Sequence, residues 1–94
     1  MTTPITGHFI LVNPRGLHLR PCARLIKIIR HYHLSIVHIK VGEKIADGQS
    51  ILEMLMLGAP SGSDIVVEVN GGENPEEEFK LIGEELVNID IISD

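Results

Sequence analysis

At 94 residues, 44% hydrophobic and 22% charged, the chain has the composition of one small globular domain spanning residues 1–94, with one core and no disordered excess of charge. A single cysteine excludes an internal disulfide, no apolar run reaches membrane-spanning length, and no charged-then-apolar leader opens the chain, so a cytoplasmic setting with no membrane contact is expected. The net charge of −5 conceals a segregation: Arg15, Arg20, Arg24, Lys27, Arg30 and Lys40 occupy residues 1–42 without an acid, while all 13 acids follow, against only Lys44 and Lys80. Only Tyr32 lies among the cations, so stacking of nucleic-acid bases is not expected. A one-signed patch suits an acidic protein partner or a phosphate, whose encounter it steers.

Taken in chain order, Ile5 to Val12 reads as a first strand, rich in β-branched and aromatic residues, and Asn13-Pro14-Arg15-Gly16 supplies turn chemistry. Cys22, Leu25, Ile26 and Ile29 then recur at helical spacing, with Pro21 in the first turn, where a missing N–H does no harm. Cys22 falls on that apolar stripe and reads as a small core residue. Past His31-Tyr32-His33, residues 34–41 alternate with Val37, Ile39 and Val41 on one face, Gly42-Glu43-Lys44 turns the chain, and Ile45-Ala46 returns.

Ser50-Ile51-Leu52-Glu53 has the form of a capping box before a short helix, Ile51 to Leu57, that Gly58 to Ser63 breaks. That helix is apolar all round yet too short to be buried all round, so some of its side chains are expected at the surface. Ile65, Val67 and Val69 alternate as a fourth strand, and Asn74-Pro75-Glu76-Glu77-Glu78 starts a last helix whose buried stripe is Phe79, Ile82, Leu86 and Ile89. The order β-α-β-β-α-β-α indicates an α+β sandwich with helices on one face of a sheet. Pattern alone leaves a ferredoxin-like strand order equally open.

The chemistry concentrates where the first strand hands over to the basic helix. His18 lies at or just before the helix start, where unpaired backbone N–H groups favour an anion and disfavour imidazolium. A neutral imidazole keeps a lone pair for attack on phosphorus, and Arg20 offers a planar fork to phosphate oxygens. The remaining histidines, His8, His31, His33 and His38, show no spacing that converges ligands, so no metal is expected.

Gly16-Leu17-His18-Leu19-Arg20-Pro21-Cys22-Ala23 resembles the active-site segment of the histidine-containing phosphocarrier protein (HPr) family of the bacterial phosphotransferase system, whose usual form is Gly-Leu-His-Ala-Arg-Pro-Ala. A second segment, Gln49 to Gly58, resembles that family's Lys-Ser-Ile-Met-Gly-Val-Met-Ser-Leu, and the similarity runs from about Phe9 to Leu86. The resemblance implies an open-faced β-sandwich, a four-stranded antiparallel sheet with three helices on one face. It implies a stoichiometric carrier, not a stand-alone catalyst, that takes a phosphoryl group on Nδ1 of His18 from Enzyme I and passes it to an Enzyme IIA domain, as in sugar transport. Leu19 and Arg20 would hold the phosphate. Leu19, Ala23, Lys27, Ile51, Leu52, Leu55 and Gly58 match the docking surface, to which the charge pattern adds Arg24. The carrier is expected as a monomer without a cofactor, since phosphoenolpyruvate and Mg²⁺ belong to the upstream enzyme.

In some members the serine at the Ser50 position is phosphorylated by a serine kinase and restored by a phosphorylase. Here Glu53 stands in place of a glycine and Gln49 in place of a lysine, so Ser50 reads as a cap and not as a switch. Met54-Leu55-Met56-Leu57 resembles the nitrogen-related branch, which leaves a regulatory phosphocarrier as the alternative. A regulatory interaction domain that keeps the fold without transferring phosphate is a further alternative, against which the intact His18 and Arg20 argue.

Overall fold

The computed structural model describes residues 3–32 and 34–88. Seven elements follow one another: β1 (Ile5–Ile10), α1 (Leu19–His31), β2 (Ser35–Val41), β3 (Lys44–Asp47), α2 (Ile51–Met56), β4 (Asp64–Gly71) and α3 (Pro75–Leu86). The four strands form one antiparallel sheet in the order β1-β4-β2-β3. This order excludes the ferredoxin-like alternative, because β4 and β2 take the centre and β1 lies at an edge.

Period-two alternation decides which side of the sheet is covered. Val37 and Ile39 of β2 and Ile65, Val67 and Val69 of β4 are buried against the helices, together with Leu25 and Ile29 of α1 and Ile82 and Leu86 of α3. The other face carries His38, Lys40 and Glu68, with Lys40 Nζ donating to Glu68 Oε2 at 3.3 Å and His38 Nδ1 lying 3.5 Å from Glu68 Oε1. At the margin of that face His8 Nδ1 lies 3.1 Å from Asp64 Oδ1.

The first strand is shorter than its composition predicts, ending at Ile10 instead of Val12. Leu11 keeps one bond in register, its N–H donating to Ser63 O at 2.9 Å, but its carbonyl accepts from Gly62 N at 2.7 Å, one residue out of register, and the ladder ends there. That diversion clips the segment before α1 to the segment before β4. The expected stripe of α3 is also incomplete as read: Phe79 is only half-buried, Ile89 and His33 lie outside the described residues, and Glu78 is fully buried. Phe79 packs against Phe9 with ring centroids 5.3 Å apart and planes tilted by 47°, and Gly83 is what admits Phe9, since a Cβ there would stand 2.2 Å from the ring.

The second helix ends at Met56, one residue early, as the chain turns through Leu57 toward Gly58 at φ +60°. Its cap forms only half of the expected box. Ser50 Oγ accepts from Glu53 N at 3.1 Å, but the Glu53 carboxylate does not return to Ser50. It accepts instead from Asp47 N at 2.9 Å, while Ser50 N donates to Asp47 O at 3.0 Å. Because Asp47 ends the edge strand β3, its unpaired donor competes successfully for the carboxylate.

Candidate functional site

His18 occupies the N-cap position of α1 with an extended backbone, φ −96° and ψ −171°, and its carbonyl accepts the first helical bond from Cys22 N at 3.2 Å. Its side chain makes no capping bond, so the ring is not consumed in starting the helix. The ring is half-buried in an informative way. Nε2 is shut off from solvent and has no hydrogen-bond partner among the described residues. Arg20, half-buried, stands two residues on in the first turn, and Pro21 is buried beneath it.

A second loop holds this segment in place. Leu17 N donates to Ala59 O at 2.9 Å, which brings the start of α1 alongside the end of α2. Gly16 makes the approach possible: at φ +71°, a Cβ would stand 2.3 Å from Ala59 O and 3.0 Å from Pro60 Cα. Upstream, Gly16 N donates to Asn13 O at 2.9 Å and Arg15 N to Asn13 Oδ1 at 3.0 Å, so a β-turn and an Asx turn share one residue. The sequence reading missed the Ala59–Pro60 support and the burial of Asn13, which is 3% exposed. Gly16 signals a close approach, but nothing local names what approaches it.

The expected docking residues divide. Leu19 and Leu52 are exposed by 60% and 67%, an unusual degree for leucines, and Ala23, Lys27 and Gly58 are exposed beside them in sequence. Ile51 and Leu55 are half-buried and pack partly on the core. Arg24 is directed elsewhere, because its Nη1 donates to Glu85 Oε2 of α3 at 3.3 Å. Met56, on the same short helix as Leu52, is also exposed, by 69%, although the sequence reading did not single it out.

Cys22 is fully buried, and burial pushes its thiol up to about 11, so it behaves as the inert core residue its position predicts. No group of three or more metal-ligating side chains occurs among the described residues. A shallow depression of about 430 Å³ between β3 and α2, lined by Lys44, Ile45, Glu53, Met56 and Leu57, contains none of the phosphate-directed residues. No helix among the described residues is long and apolar enough to cross a membrane.

Comparison with known proteins places the same residues in a family. A family model described as "PTS HPr component phosphorylation site" matches residues 5–86. The multiphosphoryl transfer protein of Salmonella typhimurium is 26% identical over 84 residues, covering 87% of this chain, which spans only 22% of that protein. The phosphocarrier protein HPr of Chlamydia pneumoniae is 33% identical over 64 residues, 68% of this chain and 58% of that one. The crystal structure of a phosphocarrier protein HPr from Bacillus anthracis superposes with a TM-score of 0.82 at 20% identity, covering 90% of this chain and 99% of that one, and so shares the fold.

Proposed function

Because the chain belongs to the HPr family of the phosphotransferase system, we propose that it is a phosphoryl carrier in which His18 is the acceptor, Enzyme I the donor and an Enzyme IIA domain the recipient. The observation that carries this reading is the enclosure of His18 Nε2, which has no partner among the described residues, so that Nδ1 is the nitrogen we assign to the incoming group. The Nδ1 lone pair attacks phosphorus while the donor's bond to phosphorus breaks and its electron pair stays with the donor. The ring proton resides on Nε2 throughout. Arg20 and the first-turn N–H groups face the phosphate oxygens.

A carrier must also let go. With no acceptor for Nε2–H among the described residues, little stabilises the positive phosphoimidazole ring, so the N–P bond stays easy to break on meeting the recipient. Leu19, Leu52, Leu55 and Met56 form an apolar contact surface, and Lys27 adds a charge that draws in an acidic partner.

Intact-mass measurement after incubation with Enzyme I and phosphoenolpyruvate tests the reading. One phosphoryl group is expected, labile in acid and stable in base, and absent from His18→Ala, which remains folded because the ring caps nothing. An acid-stable adduct, or undiminished labelling of His18→Ala, overturns it.

A further inference from the structure

Between the end of β1 and the start of α1 the chain must bring His18 to a defined place without the help of a strand or a helix. Its backbone donors show how this is done. Pro14 has no N–H, so the turn presents only the N–H groups of Arg15 and Gly16, and both end on Asn13: one on the side-chain Oδ1 at 3.0 Å, the other on the carbonyl at 2.9 Å. The next donor, Leu17 N, goes to Ala59 O at 2.9 Å, and His18 N returns to Gly16 O at 3.0 Å. Asn13 therefore anchors the turn whose last residue, Gly16, accepts from the backbone N–H of His18.

The side chain of Asn13 is buried, at 3% exposure, whereas its neighbours Pro14 and Arg15 are exposed. An asparagine needed only to turn the chain could point to solvent. Burial places the amide out of reach of a docking protein and of the phosphate, so whatever it contributes acts through the turn. We infer that Asn13 is a positioning residue for phosphoryl transfer, fixing through the Asn13–Gly16 turn the direction in which His18 presents Nδ1.

The inference rests on the carrier reading above, and its effect should fall on the chemical step and not on docking. Misplacing a reacting atom by about 1 Å lowers rates by up to about 10²-fold. Asn13→Ala removes the side-chain acceptor, while Asn13→Ser, although smaller than asparagine, restores one, since a serine hydroxyl can close the same local turn. Transfer from phosphorylated Enzyme I is measured for both, with Ile82→Val in the α3 core as a variant that loses stability far from the loop. The imidazole nitrogen resonances of His18 are recorded in the unphosphorylated chains.

The expected result is a maximal transfer rate about tenfold lower in Asn13→Ala, with an unchanged half-saturating concentration. Asn13→Ser should recover most of that rate, and Ile82→Val should transfer normally. The His18 ring resonances should shift in Asn13→Ala and return in Asn13→Ser. A wild-type rate with unshifted resonances in Asn13→Ala overturns the inference, and so does equal slowing of the alanine and serine variants. Should the wild-type chain accept no phosphoryl group at all, the carrier reading falls, and the ring resonances alone decide whether Asn13 positions His18.

Discussion

Arg24 of the first helix and Glu85 of the last are joined across the helical layer, Nη1 donating to Oε2 at 3.3 Å, so a cation that the charge pattern assigns to docking is partly committed to holding the molecule together. Replacing Arg24 by glutamate sets two carboxylates against each other and should lower the melting temperature as well as weaken docking. Lys27, exposed on the same helix, has no such tie and is the cleaner probe. Lys27→Glu should slow association with Enzyme I at low salt and much less at about 1 M, where the Debye length shrinks to roughly 3 Å. Leu52→Ala should weaken binding equally at both salts. Stopped-flow association at two ionic strengths, run beside thermal melts, distinguishes these outcomes, and identical salt dependence for Lys27→Glu and Leu52→Ala refutes the division of labour.

Ser50 should behave as a cap. Losing its bond to Glu53 N costs about 0.5–2 kcal/mol in Ser50→Ala, read in melts, with transfer through His18 retained. Ser50→Asp keeps the acceptor and therefore the fold. Its charge sits beside the exposed Leu52 and one helical turn from Glu53, so transfer should fall. An alanine variant as stable as wild type removes the cap assignment, and clean stoichiometric modification of Ser50 by a serine kinase restores the switch.

Glu78 supplies a pH dependence. Its carboxyl is fully buried, Ser35 Oγ lies 2.9 Å from Oε2, and Oε1 has no partner among the described residues. Burial raises its pKa, and the Ser35 bond opposes that in part. An acid with a raised folded-state pKa contributes stability that is complete below its unfolded value, about 4.3, and is lost as pH rises through the folded value. Nearby Tyr32 donates to Glu77, whose bond is the main reason its phenol is pushed up to about 12, so it stays neutral across this window. Glu78→Gln should match wild type near pH 4 and become progressively more stable than it as pH rises. Melts of the pair at several pH values check this, and a constant difference would mean that folding leaves the Glu78 carboxyl unshifted.

Gly16→Ala tests the loop platform. A side chain in left-handed backbone costs about 1–2 kcal/mol before any clash, and here its Cβ also meets the Ala59 carbonyl. The chain should lose stability and, because the Leu17–Ala59 bond must lengthen, lose transfer by more than the unfolded fraction explains. A variant whose transfer falls only in proportion to its unfolded population would show that the platform serves stability alone.

Much of this architecture is visible in local patterns. Alternation at Val37, Ile39, Ile65, Val67 and Val69 marks the buried face, and Asn74 and Ser50 mark helix starts that do form, Asn74 Oδ1 accepting from Glu77 N at 3.3 Å. The position of His18 at a helix start is equally legible, because Pro21 and the stripe from Cys22 bracket it. What escapes is contact between segments far apart in sequence. Leu17 meeting Ala59, Arg24 meeting Glu85 and Ser35 meeting Glu78 leave no periodicity behind, and each redirects a residue whose local reading was different or silent. Glu53 shows the limit most plainly: its spacing from Ser50 is right for a reciprocal cap, yet a strand end six residues upstream takes the carboxylate.

That choice by Glu53 also bears on how the molecule behaves in a crowd. A sheet bordered by a strand invites a neighbour to add another. On the β3 side the border is four residues long, and its last outward donor, Asp47 N–H, is already occupied by Glu53. A second copy approaching at Asp47 finds a carboxylate where it would need a free amide, which shortens the stretch of that border open to pairing.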